Sequence, residues 1–213
     1  DLVRSRGLGD VYKRQVTNYA QNISVASAAA DPAKTATFSG ESSIAPSSGI
    51  ATFTNLRLKG KVGQYNLTFS SSSLATAAQQ VTLTHGAVAA VVVSGATTAS
   101  SDRTFDSAIR VEIQDEDQNL VTTGTAAVQN VVLSASGATL SGTTTVPAVL
   151  GVAEFTDLKL EGLVGEKTLT ATISNPSTRT GTRQITLSHG VASQLVLTTQ
   201  ATSATNRAAF GTQ

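Results

Sequence analysis

Residues 151–165, GVAEFTDLKLEGLVG, repeat residues 49–63, GIATFTNLRLKGKVG, with nine of fifteen positions identical and three more conservative (Val/Ile, Asp/Asn, Lys/Arg). The copies lie 102 residues apart. That period is too long for a solenoid repeat and suits a complete small domain used in tandem. A chain of 213 residues therefore holds two or more units.

Composition narrows what those units are made of. There is no Cys, so neither a disulfide nor a Cys-based metal site is available. Trp and Met are absent as well, and only nine residues are aromatic. Cores must be built from Val, Leu, Ile, Ala and an occasional Phe, which suits many short strands with thin interiors. No apolar run approaches the length of a membrane-spanning helix, about eighteen residues, so no membrane contact is expected within the chain. No initiating Met or signal peptide is visible, so the sequence reads as a fragment.

From Val16 onward, short β-branched runs alternate with Gly, Asn, Asp, Ser and Pro. In the second copy the pattern predicts strands at 89–94, 109–114, 130–135, 138–141, 152–156, 168–173 and 183–188. Seven short strands in about one hundred residues predict a sandwich, mostly antiparallel. In IRVEIQ, Val111 and Ile113 fall on the core side with Ile109, and Leu169 and Ile173 do so in TLTATI. In the repeated stretch the period changes phase: Phe155 and Ala153 share one parity, Leu158 and Leu160 the other. A bulge or corner near Asp157 is needed to bury all four. Phe53, Leu56 and Leu58 repeat that arrangement in the first copy, and Phe53 and Phe155 are the expected core centres.

The unit ends are also marked twice, by VTLTHGAVAAVVVSGAT from Val81 and ITLSHGVASQLVLTTQAT from Ile185. A closing strand passes through His-Gly into the next unit, which predicts linkers of about two residues and a stiff array. Val16-Thr17 aligns with Val121-Thr122, so residues 16–86 form a partial unit lacking its first strands. Residues 87–190 form a complete unit, and residues 191–213 carry the first strand of a third, ending at Phe210, the counterpart of Phe105. The partial unit is expected to expose an apolar sheet edge and to associate.

Residues 1–15, DLVRSRGLGDVYKRQ, have no counterpart in the second copy, and six of the fifteen are charged. They resemble a translated sequencing-adapter artefact and are not expected to be structural. Without their four basic and two acidic residues, eleven basic and twelve acidic remain, so the net charge passes from +1 to −1. A nucleic-acid partner loses its support.

The run VEIQDEDQNLV (residues 111–121), the segment SGTTTVPAVLGVAEFTDLKLEG and the aliphatic strand after Gly165 together resemble the bacterial immunoglobulin-like repeats of invasin- and intimin-type surface adhesins. The resemblance spans residues 16–213, and its motifs are structural. The glycine usual in the acidic turn is Gln118 here, and the Tyr that often follows the corner glycine is Tyr65 in one copy and Lys167 in the other. The resemblance implies tandem immunoglobulin-like Greek-key sandwiches, truncated at both ends. It also implies a stalk that projects a binding tip from an outer membrane or cell wall.

Candidate chemistry is sparse. Asp115, Asp117 and Asn119 offer oxygens of the kind Ca²⁺ takes, without EF-hand spacing; a solvated turn is the alternative. His85 and His189 are equivalent residues about a hundred apart with no local partner, which favours a junction role over a metal or catalytic one. There is no G-x-S-x-G elbow. Glu154, Asp157 and Glu161, imaginable as glycosidase carboxylates, become Thr52, Asn55 and Lys59 in the other copy, so the unit folds without them. Lys159 and Lys167, considered for isopeptide crosslinks, become Arg57 and Tyr65.

The reading is a non-enzymatic stalk or spacer of a large exported bacterial adhesin, extracellular or cell-surface, without catalytic or cofactor-binding residues. Its partners would be neighbouring repeats and, through the parent protein, a host protein or glycan. The alternative is an accessory saccharide- or ligand-binding module of a secreted enzyme. Exposed aromatics for sugar stacking would mark it, and only Tyr19 and Tyr65 qualify outside the first fifteen residues.

Overall fold

The computed structural model describes residues 4–7 and 14–197. The strands of the first unit are β1 (Arg4–Gly7), β2 (Ile23–Ala29), β3 (Ala36–Ser39), β4 (Ser43–Ile44), β5 (Ile50–Phe53), β6 (Arg57–Gly60), β7 (Gly63–Ser71) and β8 (Leu74–Leu83). Those of the second are β9 (Ala90–Gly95), β10 (Thr98–Ser100), β11 (Ile109–Gln114), β12 (Asn130–Ser136), β13 (Thr139–Ser141), β14 (Thr145–Pro147), β15 (Val152–Phe155), β16 (Lys159–Glu161), β17 (Gly165–Ile173) and β18 (Arg179–Ser188). A single 3-10 turn, Thr125–Val128, is the only helical element among the described residues.

In the second unit, the sheet β15-β11-β9 packs on the sheet β10-β18-β17-β12-β14, with β13 and β16 forming a ribbon at the side. Buried residues from both sheets form one cluster, including Val91, Ile109, Leu133, Phe155, Leu169 and Ile185. The opening strand is divided between the sheets. β9 lies antiparallel to β11, whereas β10 lies parallel to β18. This is the strand order of an immunoglobulin-like sandwich.

The period of two explains the burial. Ile109, Val111 and Ile113 are fully buried, while Arg110 and Glu112 form an ion pair of 2.9 Å on the other face. Leu169 and Ile173 are buried on β17. The phase change is resolved by a corner: β15 ends at Phe155 in one sheet, and β16 leaves it to pair with β13. Phe155, Leu158 and Leu160 are thereby all buried. Phe53 and Leu56 are buried in the first unit, where Phe53 meets Phe69 with ring centroids 5.9 Å apart. Leu58 differs from its counterpart Leu160 and is only half-buried.

Gly49 and Gly151 mark the same close approach. Both have φ near +80°, and a Cβ would come within 2.1 Å of the Val16 carbonyl oxygen in one and 2.3 Å of the Val121 carbonyl oxygen in the other. The contacts tie each repeated stretch to the segment that precedes β2 in the first unit and β12 in the second.

Four features depart from the sequence reading. Residues 1–15 were expected to lie outside the fold, yet β1 pairs with β5 in the register that β11 makes with β15, Arg4 opposite Phe53 as Ile109 is opposite Phe155. An open sheet edge offers N–H and C=O groups to any extended segment, whatever its sequence. β10, β14 and β16 were not predicted, since strands of three residues carry too little alternation to reveal a period. Six residues, not two, separate β8 from β9, although Val88 among them is already buried in the second unit. Residues 191–197 carry no strand, and the remainder of the expected third unit, residues 198–213, lies outside the described residues.

Candidate functional site

The acidic turn that follows β11 lies where the two units meet. Asp115 and Asn119 are the buried polar residues among those described, each 5% exposed. Asp115 Oδ1 accepts the N–H groups of Asp117 (3.0 Å) and Asn119 (2.8 Å). Its Oδ2 accepts from Gly86 N (2.7 Å) and from Asn119 Nδ2 (3.0 Å). One carboxylate thus holds its own turn and the His-Gly segment that leads in from the first unit. Burial pushes the Asp115 pKa up, but the donors from Gly86, Asn119 and Asp117 outweigh it and hold the group below its ordinary value. The turn closes with Gln118 at φ +59°, which is the conformation a glycine adopts without strain.

Asn119 reaches across to the first unit. Its Oδ1 accepts Val62 N at 2.9 Å and its Nδ2 donates to Gly60 O at 2.9 Å, so the side-chain amide pairs with the backbone of the loop between β6 and β7. Lys61, in that loop, donates to the carbonyl oxygens of Asp117 (2.8 Å) and Gln118 (3.3 Å). Lys59 stands 3.4 Å from Glu116 and 3.9 Å from Asp117. Tyr65, 1% exposed, fixes the loop from beneath by donating its hydroxyl to Lys61 O at 2.6 Å.

His85 completes the junction. Its Nδ1 faces Gly86 O at 2.9 Å and must carry the proton, since a carbonyl only accepts; its Nε2 accepts Thr123 N at 3.3 Å and lies 2.8 Å from Thr123 Oγ1. His189 makes the same contact with Gly190 O at 3.1 Å. The junction role read for these residues thus has a geometry in His85.

The residues considered for Ca²⁺ are brought together in this turn, but their oxygens face donors. Asp115 is occupied by N–H groups on both oxygens, Asn119 Oδ1 faces Val62 N, and Asp117 faces Lys59. Among the described residues no group of three or more His, Cys, Asp or Glu could hold a metal ion. The carboxylates considered for catalysis are spread out. Glu154 sits opposite Arg110 on the sheet, and Asp157 accepts from Thr143 Oγ1 (2.7 Å) and Thr143 N (3.0 Å). Those hydrogen bonds hold the Asp157 pKa below its ordinary value. Of the two aromatic candidates, Tyr65 is buried, and Tyr19 Oη lies 2.7 Å from Ser71 Oγ.

The signal that sequence reasoning missed is the pairing of Asp115 with Asn119. Its partners are backbone groups of Gly86, Gly60 and Val62, between 29 and 59 residues distant, which no local pattern encodes.

No family model matches the chain, and no curated protein does. Among solved structures the chain is similar to the D0-D1 domain of intimin, with a TM-score of 0.30 and 17% identity over 85% of this chain and 88% of that one. It is also similar to domains 4 and 5 of the S-layer protein SbsC, with a TM-score of 0.33 and 13% identity over 84% and 78%. A β-glycosidase from Bacteroides vulgatus gives a TM-score of 0.38 and 12% identity over 78% of this chain and 21% of that one. By its own strand order and packing, the chain is an all-β array of immunoglobulin-like sandwiches.

Proposed function

We propose that this chain is a non-enzymatic spacer, part of the stalk of an exported bacterial surface protein, whose task is to hold successive sandwiches at a fixed angle. The observation that carries the reading is the clasp of Asn119 on Gly60 and Val62, joined to Asp115 on Gly86. Three hydrogen bonds, all to backbone groups, restrain the hinge about which two units would otherwise swing. Exposed ion pairs contribute less. Lys59 and Glu116 are 52% and 81% exposed, and such pairs are worth about 0–1 kcal/mol.

The test is the distribution of distances between spin labels placed one on each unit, together with small-angle scattering. The native chain gives a single narrow distribution. Asn119→Ala, which leaves Gly60 O and Val62 N without their partner, broadens it, whereas Lys59→Ala leaves it narrow. A broad distribution in the native chain would remove the spacer reading, and a narrow one in Asn119→Ala would remove the clasp as its cause.

A further inference from the structure

The clasp between the units combines groups that both units carry with groups that only the first unit carries. Asn119 grips Gly60 O and Val62 N, which belong to the backbone. The second unit has the same two backbone groups at Gly162 and Val164, in a loop of equal length between two glycines. A grip on backbone alone would accept either loop. Any choice between neighbours must be made by the side chains that surround it.

In the first unit those side chains are cations. Lys59 Nζ lies 3.4 Å from Glu116 Oε1 and 3.9 Å from Asp117 Oδ1. Lys61 Nζ donates to Asp117 O at 2.8 Å and to Gln118 O at 3.3 Å. Tyr65 holds the loop against the turn through its hydroxyl bond to Lys61 O.

The second unit replaces all three. Lys59 stands opposite Thr37 in the ribbon of β3 and β6, and Glu161 stands opposite Thr139 in the ribbon of β13 and β16, so the two residues hold the same place with opposite charge. Leu163 takes the place of Lys61, and Lys167 that of Tyr65. Against a turn like Asp115–Asn119, Glu161 would set a carboxylate beside two others, and Leu163 would leave two carbonyl oxygens without their donor. We propose that this loop selects which unit can follow: the loop of the first unit admits a unit with an acidic turn, whereas the loop of the second refuses one and fits a turn that carries a cation in its place. The second unit would then not stack on a copy of itself, and the order of units is written at positions 59 and 61 against 116 and 117.

One exposed ion pair contributes little, as the Lys59–Glu116 pair does. Reversing a charge is a larger change than deleting it, because attraction gives way to repulsion. Losing Lys61 also removes two charge-assisted hydrogen bonds from the same patch. Both changes act on the opening of a single clasp, so their effects on that equilibrium multiply.

The inference builds on the spacer reading, and its test separates the two. The loop of the second unit is grafted onto the first in the full 213-residue chain, as Lys59→Glu with Lys61→Leu. The readout is exchange of the Val62 amide, whose N–H is held by Asn119 Oδ1; amides within β7 and β11 report that both sandwiches stay folded. At low salt the graft should speed Val62 exchange at least ~10-fold. Adding Glu116→Lys with Asp117→Asn should return most of the protection. At 1 M salt, where the screening length is about 3 Å, the gap between graft and native chain should narrow. The inference is overturned if the graft leaves Val62 as protected as in the native chain, or if the compensating pair fails to restore it, since the loss would then come from a damaged loop and not from charge. A broad distance distribution in the native chain, with this pattern of exchange intact, would remove the spacer reading alone. A narrow one with Val62 unmoved by the graft would remove the selection alone.

Discussion

At the scale of single residues, the turn from Asp115 to Asn119 shows how one position can satisfy two demands. Gln118 carries φ +59° because the turn requires a left-handed residue before Asn119, and a side chain there is strained. Gln118→Gly should therefore stabilise the second unit by up to ~1 kcal/mol, read as a rise in its melting temperature. Asp115 adds a pH dependence of definite sign. Its carboxylate titrates below its ordinary value in the folded chain, so its contribution is fully present above that value and is lost as the pH falls through the lowered one. Calorimetry should show the second unit losing stability as the pH drops below about 4. Asp115→Asn should start less stable at neutral pH and lose less on acidification, because an amide can accept on one atom only. Equal slopes for the two proteins would show that other carboxylates govern the acid response.

At the scale of elements, what could be read in the sequence was what alternation encodes. β11 was bounded correctly because IRVEIQ alternates without a break, and the corner at Asp157 was legible because Ala153 and Phe155 disagree in parity with Leu158 and Leu160. β10 and β14 were not legible. Their residues take strand geometry from the edges of β18 and β12 that they meet, and Thr145–Pro147 has little apolar pattern of its own. The junction was legible as a place, through His85 and His189, but not as a mechanism, since backbone groups carry it. Among the described residues, twenty-three buried side chains form the core of the second unit and seven that of the first. Phe155→Ala should cost the second unit about 3–5 kcal/mol and lower the later of two calorimetric transitions. Phe53→Ala should lower the earlier one, with the later left in place. A single transition shifted by both would mean that the units unfold together.

At the scale of the whole molecule, the parallel pairing of β10 with β18 has a mechanical consequence. The chain enters the second unit at Gly86, beside Asp115, and leaves it after Ser188 at the opposite end of β18. When the two ends are drawn apart, β10 and β18 are dragged past each other along their own axes. The bonds at Thr186 N and Ser188 O are then sheared together, instead of being unzipped one after another. Forced unfolding depends on the barrier to that first rupture, not on equilibrium stability. In single-molecule pulling, the second unit should break at a higher force than the first, whose β8 edge has no such partner among the described residues. Ser101→Pro, which deletes the N–H that reaches Ser188 O, should lower that force more than it lowers the melting temperature. A tether assembled from such units would bear tension along its length through three-residue seams, one per sandwich, so its tensile limit would be set by how few bonds each seam holds.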